Sequence, residues 1–205
     1  VHAAGYDEAR RDAVLKEITG ARMPSETVSL LKFGAMGDGR KDCLPAFRKA
    51  MAQSKKKGGL HIVVPAGTYC LKGPIRFESN TCLELQEGAT LRFDPNPAYY
   101  LPMVKTSWEG TFVQNYSPFI YAYNLHDVSI IGKGTIDGNA ATTFATWRKD
   151  QKKALQLSRS QNHSQTPVAN RNFGEGSWLR PQLIQFFGCR NVTLSDFFIT
   201  NSPFW

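Results

Sequence analysis

A short phrase of alternating apolar residues occurs three times in this chain and constrains its fold more than any other feature. The three copies share an apolar-polar-apolar triplet and stand at Leu83–Leu85, Val128–Ile130 and Val192–Leu194. In each copy a tight turn follows, and then a second apolar run that contains Leu91, Ile136 or Ile199. Alternation with a period of two is typical of a β-strand with one buried face. Each copy therefore predicts two short strands joined by a turn.

We align the three copies at their leading apolar residues, Leu83, Val128 and Val192. Two further features recur: Asp127 and Asn191 precede the leading valine, and Gly88 and Gly134 separate the two apolar runs. Repeated short strands with glycine and asparagine turns are typical of a solenoid, in which each coil buries its apolar face against its neighbours. A β-sandwich also uses short alternating strands. The periodicity alone leaves both folds open.

The positive charge of the chain is concentrated in one stretch. The formal net charge is +8 over 205 residues, and the stretch from Arg148 to Arg190 holds eight Lys or Arg residues against Asp150 and Glu175. Such a stretch attracts a polyanion, either nucleic acid or an acidic polysaccharide, unless it is a solvated loop without a partner. Aromatic residues are not interleaved with the basic ones at a regular spacing, which disfavours nucleic acid.

Membrane, metal and cofactor functions have no signal in the sequence. No apolar run approaches the length of a membrane span, and residues 1–30 lack the apolar middle of a signal peptide. The four cysteines show no paired spacing, which favours buried free thiols over disulfides or a zinc site. The histidines at 61, 126 and 163 are scattered. We therefore expect no metal, no cofactor and no membrane partner.

The N-terminal region reads as an extension followed by a first strand. Residues 1–27 form the predicted extension, with a short charged surface helix over Asp7–Thr19. A strand is predicted over Val28–Phe33. The glycine-rich loop after it matches neither phosphate-binding template, because no Gly-Lys-Ser/Thr follows. We expect residues 28–205 to be the N-terminal part of one domain, apparently truncated.

A helix with one apolar stripe follows the loop. Asp42 is the predicted N-cap, Leu44, Phe47 and Met51 recur at helical spacing, and Gly58 is the predicted stop. A helix with one apolar face is expected to pack that face against another part of the fold. In a solenoid the helix would cap the open first coil, which otherwise exposes apolar side chains and strand edges.

Five phrases, in order, resemble the polygalacturonases, the pectin-degrading glycoside hydrolases of family 28. They are FGAMGDGRKD, VVPAGTY, GKGTIDG, RPQLIQF and CRNVTLSDFFITNSPFW, and the resemblance extends over residues 28–205. The first two also occur in the wider pectate-lyase-like group, whereas GTIDG with NSPFW narrows the match to the hydrolases. The resemblance implies an all-β fold, a single-stranded right-handed parallel β-helix with an N-terminal capping helix.

The resemblance also implies a function. It implies inverting hydrolysis of α-1,4-galacturonan, an acidic polysaccharide partner (pectin, polygalacturonate or rhamnogalacturonan) and a secreted or periplasmic location. The family's catalytic phrases, Asn-x-Asp, Asp-Asp, Gly-His-Gly and Arg-Ile-Lys, come after the part that matches Asn201–Trp205. We therefore expect the catalytic residues after Trp205 and no hydrolysis by these 205 residues alone. A non-catalytic carbohydrate-binding or structural β-helix module is the alternative.

The stretch before the last repeat supplies the candidate substrate-binding residues. Arg171, Glu175, Trp178 and Arg180 are predicted to line one wall of a groove for an acidic sugar, because indole faces stack on sugars and guanidinium groups pair with carboxylates. The alternative is that Trp178 packs under the loop and Arg180 ties the loop to the body of the fold. Asp137 and Asp196 are predicted to be turn residues.

Overall fold

The computed structural model describes residues 7–204, and its strands form the coils of a parallel β-helix. In chain order the strands are β1 (Thr27–Ser29), β2 (Asp38–Asp42), β3 (Leu60–Val64), β4 (Gly67–Leu71), β5 (Ile75–Arg76), β6 (Thr81–Leu85), β7 (Ala89–Phe93), β8 (Val104–Trp108), β9 (Thr111–Asn115), β10 (Ile120–Tyr123), β11 (His126–Ile131), β12 (Thr135–Asp137), β13 (Asn172–Phe173), β14 (Ile184–Phe187), β15 (Arg190–Leu194) and β16 (Phe198–Thr200). The helices are α1 (Glu8–Glu17), α2 (Leu44–Lys57) and α3 (Lys152–His163), and 3-10 turns lie at Leu30–Phe33, Pro97–Tyr100, Phe144–Lys149 and Val168–Asn170.

Three parallel sheets form the sides of the coils. Sheet A has the order β1-β3-β6-β11-β15, sheet B has β16-β12-β7-β4-β2, and sheet C has β14-β10-β5. Each full coil runs from a sheet C strand to a sheet A strand and then to a sheet B strand, as in β10, β11 and β12. Inward side chains such as Ile62, Leu83 and Ile130 are fully buried between the sheets. The predicted parallel β-helix is therefore confirmed.

The repeat alignment is right in sheet B and wrong in part of sheet A. Leu91 pairs with Ile136 and Ile136 with Ile199, and Val128 pairs with Val192, as aligned. Val128 pairs with Thr81, however, and not with Leu83. The interval from Thr81 to Leu91 is two residues longer than the interval from Val128 to Ile136, and the turn of the earlier coil takes up the difference. A slip of two residues leaves the same side chains facing inward, so the apolar pattern does not reveal it.

Helix α2 takes the place that a sheet C strand would occupy in the first coil. It lies between β2 of sheet B and β3 of sheet A, and it buries Leu44, Phe47 and Met51 against the core. Gly58 ends it with φ +77°. The predicted capping role is confirmed, but the predicted N-cap is wrong. The helix begins after Cys43, and the Asp42 carboxylate instead accepts the backbone N–H groups of Leu44 (3.0 Å) and Lys72 (3.1 Å).

The N-terminal segment differs from the sequence prediction in one strand. The strand predicted over Val28–Phe33 ends at Ser29, because a 3-10 turn begins there. The Ser29 hydroxyl accepts the N–H of Leu31, and Gly34 ends the turn with φ +90°. Helix α1 has no buried residue, as expected for a surface helix. Between them, the N–H groups of Ala21 and Arg22 bind Thr193 Oγ1 (2.9 Å) and Asp127 Oδ1 (3.0 Å). Residues 20–23 thus cross the outside of sheet A.

Candidate substrate-binding site

Two insertions leave the β-helix at the same corner in successive coils. The first runs from β7 to β10 and the second from β12 to β14, so both lie between a sheet B strand and a sheet C strand. Because equivalent corners of neighbouring coils are adjacent, the insertions meet. Strands β8 and β9 form an antiparallel hairpin, and β13 adds to β9 in parallel to make sheet D. This corner carries every candidate residue of the second insertion.

A small separate core holds the two insertions together. It contains residues from the hairpin, from α3 and from the segment that leads to β14, namely Trp108, Val113, Ala154, Phe173 and Leu179. Asn115, which is fully buried, donates from Nδ2 to the carbonyl oxygen of Leu179 at 3.0 Å. Apolar contacts and hydrogen bonds therefore fix the insertion as a wall beside sheet C, with a defined shape for the side chains that it presents.

Arg171 lies inside this wall. Its side chain is 6% exposed, and its guanidinium group donates to the carbonyl oxygens of Thr166 (2.7 Å) and Phe112 (3.2 Å) and to Asn162 Oδ1 (2.9 Å). A guanidinium group whose N–H groups donate to protein oxygens has few donors left for a ligand. The geometry shows a structural task for Arg171, and its role in substrate binding stays a prediction.

Arg180 stands at the mouth of the wall, in contact with the NSPFW phrase. Nε donates to Gln151 Oε1 at 2.9 Å and Nη1 to the carbonyl oxygen of Pro203 at 3.2 Å. Its guanidinium carbon lies 4.6 Å from the centre of the Phe204 ring, and that ring stacks on Trp108 with centroids 4.8 Å apart. Contacts of Phe204 with Arg180 and Trp108 therefore link both insertions to the last described coil.

Two arginines share a pocket of about 470 Å³ at this place. The pocket, hereafter the arginine pocket, is lined by Glu109, Arg148, Gln151, Arg180 and Phe204. Burial and the nearby charge of Arg148 lower the pKa of Arg180 below its ordinary value, because both disfavour a second positive charge. The one acid, Glu109, lies 3.5 Å from Arg159. The arginine pocket thus has a surplus of positive charge that an anionic ligand would offset.

Trp178 and Glu175 lie on the same segment, outside the arginine pocket. The Trp178 indole is 44% exposed and meets Trp147 edge-on, with ring centroids 5.3 Å apart. Its backbone has φ +61°, a left-handed conformation that bulky residues rarely adopt. Glu175 is exposed. The four predicted residues therefore do not converge on one point: Arg171 is interior, while Arg180 and Trp178 face different pockets.

The other acids considered from the sequence serve turns. Asp137 Oδ1 accepts the N–H of Asn139 at 2.9 Å and the side-chain amide of Asn201 at 2.8 Å. Asp196 is exposed, with φ +70°, and accepts the hydroxyl proton of Ser195 at 2.7 Å. The predicted turn roles of both aspartates are confirmed.

Residues 7–204 hold no arrangement typical of a metal site or of a membrane span. Within that range no group of three or more His, Cys, Asp or Glu side chains is arranged to hold a metal ion. His61 instead approaches Glu84 (2.7 Å), and His126 approaches Asp127 (2.9 Å). No helix in that range has the length and apolar character that a membrane span requires.

Comparison with known proteins agrees with the fold. The family model described as rhamnogalacturonase A/epimerase, pectate lyase-like, matches residues 27–85. A probable polygalacturonase of Vitis vinifera is 25% identical over 209 residues, which is 97% of this chain and 37% of the relative. The crystal structure of an exopolygalacturonase from Thermotoga maritima superposes with a TM-score of 0.91 at 37% identity, over 97% of this chain and 47% of that one. The resemblance to the polygalacturonases is confirmed.

A third relative carries a different kind of name. The plasmin and fibronectin-binding protein A of Streptococcus pneumoniae is 30% identical over 133 residues, which is 64% of this chain and 18% of that protein. This chain thus spans less than half the length of each of the three relatives described.

Sequence reasoning missed part of the arginine pocket of this chain. The sequence places Arg148 only within the basic stretch, and no local pattern links Gln151 or Phe204 to Arg180. The available signal was the basic stretch itself, in which two large apolar residues, Trp147 and Leu179, are followed by Arg148 and Arg180. Their meeting depends on how the insertion folds back, which no local pattern encodes.

Proposed function

We propose that this chain belongs to a glycoside hydrolase of the polygalacturonase type, which hydrolyses α-1,4-galacturonan linkages in pectin. The observation that carries the proposal is the superposition on the exopolygalacturonase over 97% of the chain, with a TM-score of 0.91 at 37% identity. Agreement at that identity extends beyond the β-helix architecture, which proteins of several functions share.

The arginine pocket supports an acidic substrate. Galacturonan presents one carboxylate on each sugar, and guanidinium groups bind carboxylates with two parallel hydrogen bonds. Arg148 is exposed at the mouth, while Arg180 is held in place by Gln151, Pro203 and Phe204. A held guanidinium loses little freedom when a ligand binds, which favours affinity.

The proposed mechanism is inverting hydrolysis by two carboxylic groups. One group protonates the glycosidic oxygen while the other activates a water molecule on the opposite face of the ring, and the two stand roughly 6.5–9.5 Å apart. Asp137 and Asp196 are engaged in turns. The proposal therefore assigns both catalytic carboxylates to sequence that follows Trp205, and a pectic substrate would place the protein in the secreted or periplasmic space.

The test is hydrolysis of polygalacturonate by the full-length protein that contains this chain. We expect release of reducing ends from polygalacturonate and none from neutral galactan. Proton NMR should show the β-anomer as the first product, because inversion converts the α-linkage. Absence of reducing-end release with a protein that still binds oligogalacturonates would instead establish the alternative below.

The alternative is a non-catalytic carbohydrate-binding or structural β-helix module. The match to plasmin and fibronectin-binding protein A favours it, because the name of that relative describes binding and no hydrolysis. Binding without turnover distinguishes this alternative from the hydrolase. Equal affinity for galacturonan, heparin and DNA would show a polyanion surface without sugar specificity.

A further inference from the structure

A second pocket is lined by residues next to those of the arginine pocket along the chain, with Lys149 and Asp150 standing between Arg148 and Gln151. It has a volume of about 660 Å³ and lies between the end of the 3-10 helix Phe144–Lys149, the start of α3 and the segment Asn172–Trp178. Ligand sites commonly measure about 300–1,000 Å³. The two pockets share no lining residue. We call this one the lysine pocket.

The rim of the lysine pocket is positively charged. Lys149, Lys152 and Lys153 lie on it, and Asp150 is its one acid. The three lysines are exposed, and over residues 7–204 no ion pair reaches any of them. Three like charges within five residues repel one another. An anion bound among them would remove that repulsion.

The floor of the lysine pocket is apolar and partly aromatic. Ala154 and Phe173 are buried beneath it, and Trp178 presents a half-exposed indole. Trp178 has a left-handed backbone, which costs free energy for a bulky residue. Residues with such a strained backbone cluster at ligand sites. The Trp147 ring contacts the indole edge-on, with centroids 5.3 Å apart, and so restricts its movement. A flat apolar face beside cationic groups matches a pyranose ring that carries a carboxylate.

We propose that the lysine pocket binds one uronate residue of an acidic oligosaccharide, with Trp178 against the sugar ring and the three lysines around the carboxylate. The identity of the sugar rests on the proposed function. The pocket itself rests on its shape, its charge and the position of Trp178. Binding there would extend recognition of a galacturonan chain beyond the arginine pocket.

The test compares two double variants that lose the same charge. In Lys152→Ala/Lys153→Ala the rim is removed, while Lys32→Ala/Lys56→Ala removes two exposed lysines elsewhere. Isothermal titration with trigalacturonate should show affinity about tenfold weaker for the rim variant. The control should stay within about twofold of the parent. Circular dichroism should show that both variants are folded.

A second variant tests the indole while it keeps an aromatic side chain at position 178. Trp178→Phe keeps an aromatic face but should reduce the change in tryptophan fluorescence that trigalacturonate produces in the parent protein. Neutral galactotriose should bind more weakly than trigalacturonate to the parent. Equal affinity for the two trisaccharides would overturn the uronate assignment.

The outcomes separate this proposal from the proposed function. If the rim variant binds trigalacturonate as tightly as the control variant, the lysine pocket is refuted while the proposed function stands. If the parent full-length protein neither binds trigalacturonate nor hydrolyses polygalacturonate, the proposed function fails, and the uronate assignment fails with it.

Discussion

The side-chain amide of Asn191 donates to Asp127 Oδ1 at 3.2 Å, although the two residues are 64 positions apart in the sequence. Both have a left-handed backbone, with φ +53° at Asn191 and +52° at Asp127, and Asn80 in the preceding coil has φ +56°. The three residues enter sheet A at the same point of successive coils, as the pairing of Thr81, Val128 and Val192 shows. A column of polar turn residues thus fixes the register between coils.

Asp127 should make stability depend on pH. Its side chain is 1% exposed, and hydrogen bonds from the Arg22 N–H, His126 and Asn191 lower its pKa from 3.8 to about 2. Because folding lowers this pKa, the stabilising contribution is present above about pH 4 and is lost as the pH falls towards 2. The shift corresponds to about 2 kcal/mol.

The measurement is the free energy of urea unfolding between pH 2 and pH 6. We expect Asp127→Asn to reduce stability at pH 6 and to flatten the fall of stability below pH 4. Asp12→Asn on the exposed helix α1 is the control and should leave the pH profile unchanged. A profile for Asp127→Asn that parallels the parent would contradict this account.

A close contact between coils should make Gly132 irreplaceable. It has φ +99°, and a Cβ there would overlap the carbonyl oxygen of Leu85 in the previous coil. Gly110 in the hairpin turn has φ +80° and no atom within 4 Å of the same position. Gly132→Ala should therefore cost about 2 kcal/mol more than Gly110→Ala, since only the first adds a clash to the backbone strain. Thermal unfolding of the two variants measures the difference.

Arg171→Ala should act chiefly on stability. It leaves the carbonyl oxygens of Thr166 and Phe112 and the side chain of Asn162 without their charged donor, which should cost about 3 kcal/mol. Arg159→Ala removes the same charge from the surface and should cost less than about 1 kcal/mol. Chemical unfolding and trigalacturonate titration are measured on both. Weak binding by a variant of parental stability would give Arg171 the direct role predicted from the sequence.

Arg148→Ala should act on binding alone. The Arg148 side chain is exposed and lines the arginine pocket, so its removal should weaken trigalacturonate binding about tenfold and change the free energy of unfolding by less than about 0.5 kcal/mol. Arg40→Ala serves as the matched control, because Arg40 is also exposed and does not line the arginine pocket. Affinities that agree within twofold would remove Arg148 from the site.

A polypeptide of these 205 residues should self-associate. The last described coil exposes four apolar side chains, Val192 (38%), Leu194 (47%), Phe198 (64%) and Ile199 (45%). Strands β15 and β16 also each have one edge without a partner strand within residues 7–204, and open strand edges promote association. Sedimentation velocity should therefore show oligomers or aggregates. A monodisperse monomer would show that this surface is covered in another way.

The sequence by itself determined that the chain is built of short β-strands with one buried face. Period-two alternation at Leu83–Leu85, Val128–Ile130 and Val192–Leu194 identified strands whose inward side chains are buried in the first two copies, because one buried face demands that pattern. The apolar stripe of α2 determined which side of that helix covers the core. Turn roles for Asp137 and Asp196 followed from residue chemistry that acts within a few positions.

Only the tertiary structure decided the register of the first repeat and the membership of the site. Thr81 rather than Leu83 pairs with Val128. A shift of two residues keeps the same side chains on the buried face, so the alternation of apolar residues does not distinguish the two registers. Arg148, Arg180 and Phe204 meet, and Arg171 is drawn inside, because two insertions from neighbouring coils pack on each other. Contacts between segments so far apart in the chain depend on how whole coils stack, and a local sequence pattern does not predict that stacking.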